Sequence, residues 1–156
     1  MYIKAFNKDF KCSGFQYEIG KEYIIDAEPI LCRRGFHFCK SLNDTMNYYK
    51  NIFHARYCIV KPLGMVVEGE NKLVTNHIYI DRELSFNELI ELDKDGEWCC
   101  WFADCVKGAD VKLLQKTVIE KDGTGQWCGW FAKYVKGADI QLLQQAVREK
   151  QQKNKE

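Results

Sequence analysis

The chain has 156 residues, 46% of them hydrophobic, which is enough for a packed core that folds without disulfide or metal staples. The formal net charge is +1, with 12 basic and 10 acidic side chains in residues 1–84 and 11 and 12 in residues 85–156, a balance that argues against direct nucleic-acid binding. No apolar leader opens the chain and no apolar run is long enough to cross a bilayer, so the expected location is the cytoplasm, where the eight cysteines stay reduced and most serve as small buried hydrophobes.

Residues 2–6, 15–19, 23–25, 56–62 and 73–81 are rich in aromatic and β-branched side chains, several with alternating polarity, and are predicted strands. Gly14, Gly20, Gly35, Gly64 and Gly69 punctuate them. Ser41 opens the segment SLNDTMNYYK, with Asp44 in its first turn and Leu42, Met46 and Tyr49 at helical spacing, which predicts one short helix over 41–50. Strands, a helix, further strands and then only helices make an α+β head, residues 1–84, followed by an all-α tail, residues 85–156.

The tail is written twice. WCCWFADCVKGADVKLLQKTVIEK from Trp98 and WCGWFAKYVKGADIQLLQQAVREK from Trp127 align at an offset of 29 with 16 of 24 positions identical, the mark of stacked helix-turn-helix units. In the first copy Trp98, Trp101, Phe102 and Cys105 share one side of a short helix that Gly108 ends in a left-handed cap. Asp110 caps a second helix whose inward stripe is Val111, Leu114 and Val118. The second copy repeats this with Trp127, Trp130, Phe131 and Tyr134, then Gly137, Asp139, Ile140, Leu143 and Val147. The repeats are placed at 97–121 and 126–150, with tight turns at 93–96 and 122–125. Two units are fewer than a solenoid usually needs, so a lid helix is expected over 85–93, opened by a Ser85–Glu88 capping box. Residues 148–156 are almost wholly polar and are expected to form a solvent-facing last turn that frays.

The segments IKAFNKDFKCSGFQYEIGKEY, LCRRGFHFCKSL, RYCIVKPLGMVVEG and NKLVTNHIYIDREL resemble a domain of unassigned activity common in phages, prophages and related bacterial genes. The likeness covers residues 2–84 and rests on FKCSGFQYE and GFHFC. The tail is similar to short helical repeats, with a WFA…VKGADI…LQ pattern, that accompany phage-encoded proteins. The two resemblances imply an accessory protein of a mobile element that acts in a bacterial cytoplasm.

Enzyme chemistry finds little support in the residues. From Gly35 onward the head resembles the ADP-ribosyltransferase core in layout, which implies an NAD-holding residue on the first strand and a glutamate near the late strand; the first strand offers Lys4, but NKLVTNH has no carboxylate. Cys32, His37 and Cys39, with Cys12 or Cys58, are donors zinc accepts, yet no C-x2-4-C knuckle is present, and the reading adopted is buried thiols with a hydrogen-bonded core histidine. A nucleophilic cysteine needs a base beside it, and His37, His54 and His77 cannot be paired with one. Adjacent Cys99 and Cys100 point about 100° apart on a helix, so one is expected to face outward.

The spacing of Trp98, Trp101, Trp127 and Trp130 fits an exposed binding groove or a buried inter-repeat core, and the core is the reading adopted. That assigns the partner surface to polar residues: Asp104, Lys107, Lys112, Lys133, Lys136 and Gln141. The sequence thus reads as a non-catalytic protein–protein interaction module without catalytic, cofactor or metal residues, whose partner is a bacterial host protein or complex. A host defence system such as a CRISPR nuclease is the expected target, and a nucleotide- or NAD-binding transferase built on the head is the alternative.

Overall fold

A computed structural model describes residues 1–49 and 54–155. The chain is α+β, with strands first and helices after, and it divides into two units, Met1–Leu89 and Ile90–Glu156. The division falls inside a helix, a few residues beyond the 84/85 boundary expected from composition.

In the first unit the elements are β1 (Tyr2–Phe6), β2 (Lys11–Cys12), β3 (Phe15–Gln16), β4 (Glu22–Ile24), β5 (Phe36–Phe38), α1 (Leu42–Met46), β6 (Arg56–Pro62), β7 (Val66–Glu68), β8 (Leu73–Thr75) and β9 (His77–Glu83). An antiparallel sheet of order β1-β6-β9-β4 is accompanied by a second of order β5-β8-β7 and by the β2-β3 hairpin. Ile3 and Cys39 exchange backbone hydrogen bonds of 2.9 and 2.8 Å, which brings the end of β5 to the β1 edge. Alternation decides what faces inward: Ile78 and Ile80 on β9 are fully buried while Tyr79 between them and Asp81 after them are half-buried. These two join Phe6, Phe36, Phe38 and Val60 in the core.

Three expectations change at this level. The strand expected over 73–81 is two strands, because Asn76 turns the chain from one sheet to the other: its Oδ1 accepts from Met65 N–H and its carbonyl from Ile25 N–H. The strand expected over 15–19 ends at Gln16, and Tyr17 turns into the core. Helix α1 starts where expected, with Ser41 Oγ accepting from Asp44 N–H, but stops at Met46; Lys50 lies outside the described residues.

The tail contains α2 (Phe86–Leu92), α3 (Glu97–Cys105), α4 (Val111–Lys121), α5 (Gln126–Tyr134) and α6 (Ile140–Lys153). Ser85 and Glu88 form the expected capping box, Ser85 N–H donating to Glu88 Oε2 at 2.9 Å and Glu88 N–H to Ser85 Oγ at 3.3 Å. Asp110 and Asp139 cap α4 and α6 through Leu113 and Leu142 N–H, and Gly108 and Gly137 have φ of +82° and +87°. The polar end is more ordered than expected: α6 runs to Lys153, with only Glu156 outside the described residues.

Each repeat is opened by a buried carboxylate. Asp93 accepts from Gly96 N–H at 3.2 Å and Cys99 N–H at 2.9 Å; Asp122 accepts from Gly125 N–H at 2.9 Å and Cys128 N–H at 2.8 Å, and both residues are 1% exposed. The carboxylate serves the free amides of a helix start from the far side of the turn, which lets left-handed Gly96 and Gly125 replace a side-chain cap at the N-cap position. A second recurrent device closes the previous helix. Lys121 donates to the carbonyls of Ile90, Glu91 and Asp93, and Lys150 to that of Ile119, 29 residues after Ile90. The end of α2 is thus gripped by α4 as the end of α4 is gripped by α6, so the expected lid helix occupies the place of a preceding repeat's second helix.

Candidate functional site

The tail carries a continuous aromatic face. Ring centroids of Trp101 and Trp130 are 5.0 Å apart, those of Trp130 and Tyr134 4.9 Å, and those of Trp127 and Trp130 6.4 Å. Trp101 is 37% exposed and Tyr134 49%, whereas Trp98 is 1% exposed and stacked on Phe102. The expectation of four core tryptophans is therefore corrected: one is buried, two are half-buried, and Trp101 stands in solvent. Trp127 is fixed by its indole N–H, which donates to Asp95 Oδ2 at 3.1 Å. Helical spacing alone could not separate these cases, because an aromatic at the same period fits a stripe that is covered and one that is open. Large aromatics held rigidly at a surface supply contact area at little entropic cost, which is why they anchor partners.

The six polar candidates are all exposed. Lys133 belongs to the aromatic face, its Nζ lying 4.9 Å from the Tyr134 ring centroid. Asp104 holds the equivalent place in the first copy, three residues after Trp101. Lys107 and Lys136 lie in the turns that follow α3 and α5, and Lys112 is near the start of α4. Gln141 lines a shallow depression on α6 with Asp139, Leu142 and Arg148. Other inward positions also shift: Ile140, expected in the stripe of α6, is 51% exposed, while Leu143 is fully buried.

In the head, Lys4 and His37 come together, but as structure. Lys4 Nζ donates to the His37 carbonyl at 2.7 Å and lies 3.7 Å from Cys12 Sγ. His37 Nε2 accepts from Cys32 N–H at 2.9 Å, so the ring spans its own loop and meets no thiol there. Burial, then the nearby Lys4 and Lys72 ammonium groups, lower the His37 pKa and keep the ring neutral. His77 pairs with Glu22 Oε2 at 2.9 Å. Among the described residues no group of three or more His, Cys, Asp or Glu side chains is placed to hold a metal. Burial raises the thiol pKa of Cys39 to about 11 and of Cys58 and Cys128 to about 12, the opposite of what a nucleophile requires.

Among the described residues no helix is long and apolar enough to cross a membrane. Residues 1–92 match the family described as "Domain of unknown function (DUF7666)", and the chain belongs to that family. No curated protein and no solved structure matches the chain.

Proposed function

We propose that this member of the DUF7666 family is an accessory protein of a phage or mobile element that works as a non-catalytic protein–protein interaction module in the bacterial cytoplasm. Its repeat tail docks on a host protein, and a defence system such as a CRISPR nuclease is the target class. The observation that carries the reading is the aromatic face on which half-buried Trp130 joins exposed Trp101 and Tyr134, flanked by Lys133 and Asp104. The mobile-element setting rests on the resemblance of the FKCSGFQYE and GFHFC segments and of the tail repeats. The transferase alternative is disfavoured because among the described residues lining the head cleft there is no carboxylate to orient a ribose.

The test is capture from a bacterial lysate with the wild-type chain and with a Trp101→Ala/Tyr134→Ala variant, paired with an interference assay in cells carrying a CRISPR nuclease. A stoichiometric protein partner lost in the variant, together with relief of interference, is expected. Retention of the partner by the variant would remove the aromatic face from the reading, and a covalently modified host protein would replace binding with catalysis.

A further inference from the structure

The head contains a cleft of about 630 Å³, within the roughly 300–1,000 Å³ typical of small-ligand sites. Its polarity is one-sided. Lys4, Arg33 and Lys72 line it, and among its described lining residues there is no Asp or Glu. Lys4 is 4% exposed, held at the centre of β1 between Ile3 and Ala5. Among the described residues its neighbours are the His37 carbonyl, the Cys12 sulfur and the Phe6 and Tyr17 rings, at 5.6 and 5.3 Å from the ammonium. Burying a cation without an acid is costly, and the cost is met either by losing the proton or by an anion brought from outside.

Lys72 lines the same cleft. Its Nζ lies 4.3 Å from the Tyr48 ring centroid, and the Lys4 and Lys72 charges both act on His37 and on Cys39. Asp44, the acid whose charge acts on Cys39, is engaged by Ser41, whose hydroxyl donates to Asp44 Oδ2 at 2.6 Å. Beside the cations stands a cluster of rings: Phe15 is 4.8 Å from Tyr17 and 5.4 Å from Tyr23, edge to face, and is half exposed at the cleft. Two lysines and open aromatic surface lining one cleft match a ligand that is anionic at one end and flat at the other.

We propose that the head cleft binds a small ligand joining a phosphate to a flat ring, a mononucleotide by class, with Lys4 and Lys72 on the phosphate and Phe15 and Tyr23 against the ring. The site is independent of the tail's aromatic face. Binding is non-covalent: His37 is held by Cys32 N–H, and among the described lining residues there is no carboxylate base.

Calorimetric titration of the full chain with AMP, adenosine and inorganic phosphate tests it. AMP is expected to bind at least tenfold more tightly than either half alone, and more weakly as salt rises. Lys4→Met, which keeps the length and removes the charge, should lower AMP affinity at least tenfold; Lys72→Met and Phe15→Ala, at less buried positions, should lower it severalfold. If Lys4→Met does not fold, those two variants decide. No AMP binding at millimolar concentration, phosphate binding as tightly as AMP, or wild-type affinity in Lys72→Met and Phe15→Ala would each overturn the proposal.

Discussion

The two copies of the repeat share their internal devices and differ on the face that the first copy turns toward the second. Gln115 and Gln144 are the same residue at the same position, but Gln115 is buried and accepts from Asp139 N–H at 2.8 Å, whereas Gln144 is exposed. Ile119, half-buried, becomes exposed Arg148, and buried Cys100, whose Sγ lies 3.5 Å from the Trp127 carbonyl, becomes exposed Gly129. Every one of these changes falls on a face that looks toward the next repeat. On that face the first copy is covered and the second is exposed, so conserving a residue between copies does not conserve its environment.

If the opening carboxylates are the shared device that defines a repeat, removing either should cost alike. Asp122→Ala leaves the amides of Gly125 and Cys128 buried without an acceptor, and Asp93→Ala does the same to Gly96 and Cys99. Each should destabilise the chain by on the order of 3 kcal/mol, read from urea unfolding. A large cost at one position only would break the equivalence. The pH dependence sharpens it: burial works to raise the Asp122 pKa, but the amides of Cys128, Thr124 and Gly125 hold it below the ordinary 3.8. A carboxyl depressed on folding stabilises above its unfolded pKa, and that contribution should fade as pH falls below about 4. The Asp122→Asn variant should lose this part of the acid sensitivity.

The glycines divide by what surrounds them. At Gly96 and Gly125 a Cβ would meet Val118 Cα at 3.1 Å and Val147 Cα at 3.2 Å, on top of the positive φ; at Gly108 and Gly137 nothing lies within 4 Å. Alanine at either of the first pair should cost about 2 kcal/mol or more, and at either of the second about 1 kcal/mol, the conformational part alone. Equal costs across all four would mean that the helix-to-helix approach at the turns is looser than the geometry describes.

How much of this was legible follows the same division. Period and capping residues are local signals, so the hairpins, Asp110, Asp139, the Ser85–Glu88 box and the left-handed Gly108 and Gly137 could be read from the sequence alone. In the head, β1 and β6 were legible as runs rich in aromatic and β-branched side chains, but β2 and β7 were not, because two or three residues cannot show a period. Of the candidate surface, Lys133 and Asp104 were reached by their place in the repeat. The aromatic face beside them was not, since whether a stripe at helical spacing is covered depends on how many neighbours the helix has.

Lys121 and Lys150 test whether α2 stands in for a missing first repeat. Among the described residues Lys121 serves three carbonyls and Lys150 one. Lys121→Met should therefore cost about 1–2 kcal/mol and Lys150→Met about 0.5–1 kcal/mol. The reverse order would show that α4 does not hold α2 as α6 holds α4.

The smallest effect expected is at Cys105, where the second copy has Tyr134. Both positions are exposed, so Cys105→Ala should change stability by less than about 0.5 kcal/mol. Thiol labelling of the native chain tells more. Cys99 and Cys100 point about 100° apart, which on a helix covered on one side would leave one of them outside. Both are fully buried, and burial raises both thiol pKa values, because an internal helix of an array is covered on two sides: Cys100 faces the Trp127 backbone, while in the next copy Cys128 Sγ approaches the Val118 carbonyl on the other flank. Native labelling should therefore reach Cys32 and Cys105 quickly and Cys12 more slowly, leaving Cys39, Cys58, Cys99, Cys100 and Cys128 until the chain unfolds. Rapid labelling of Cys100 would mean that the second copy does not stack on the first, and the distinction between a covered and an exposed face would fall with it.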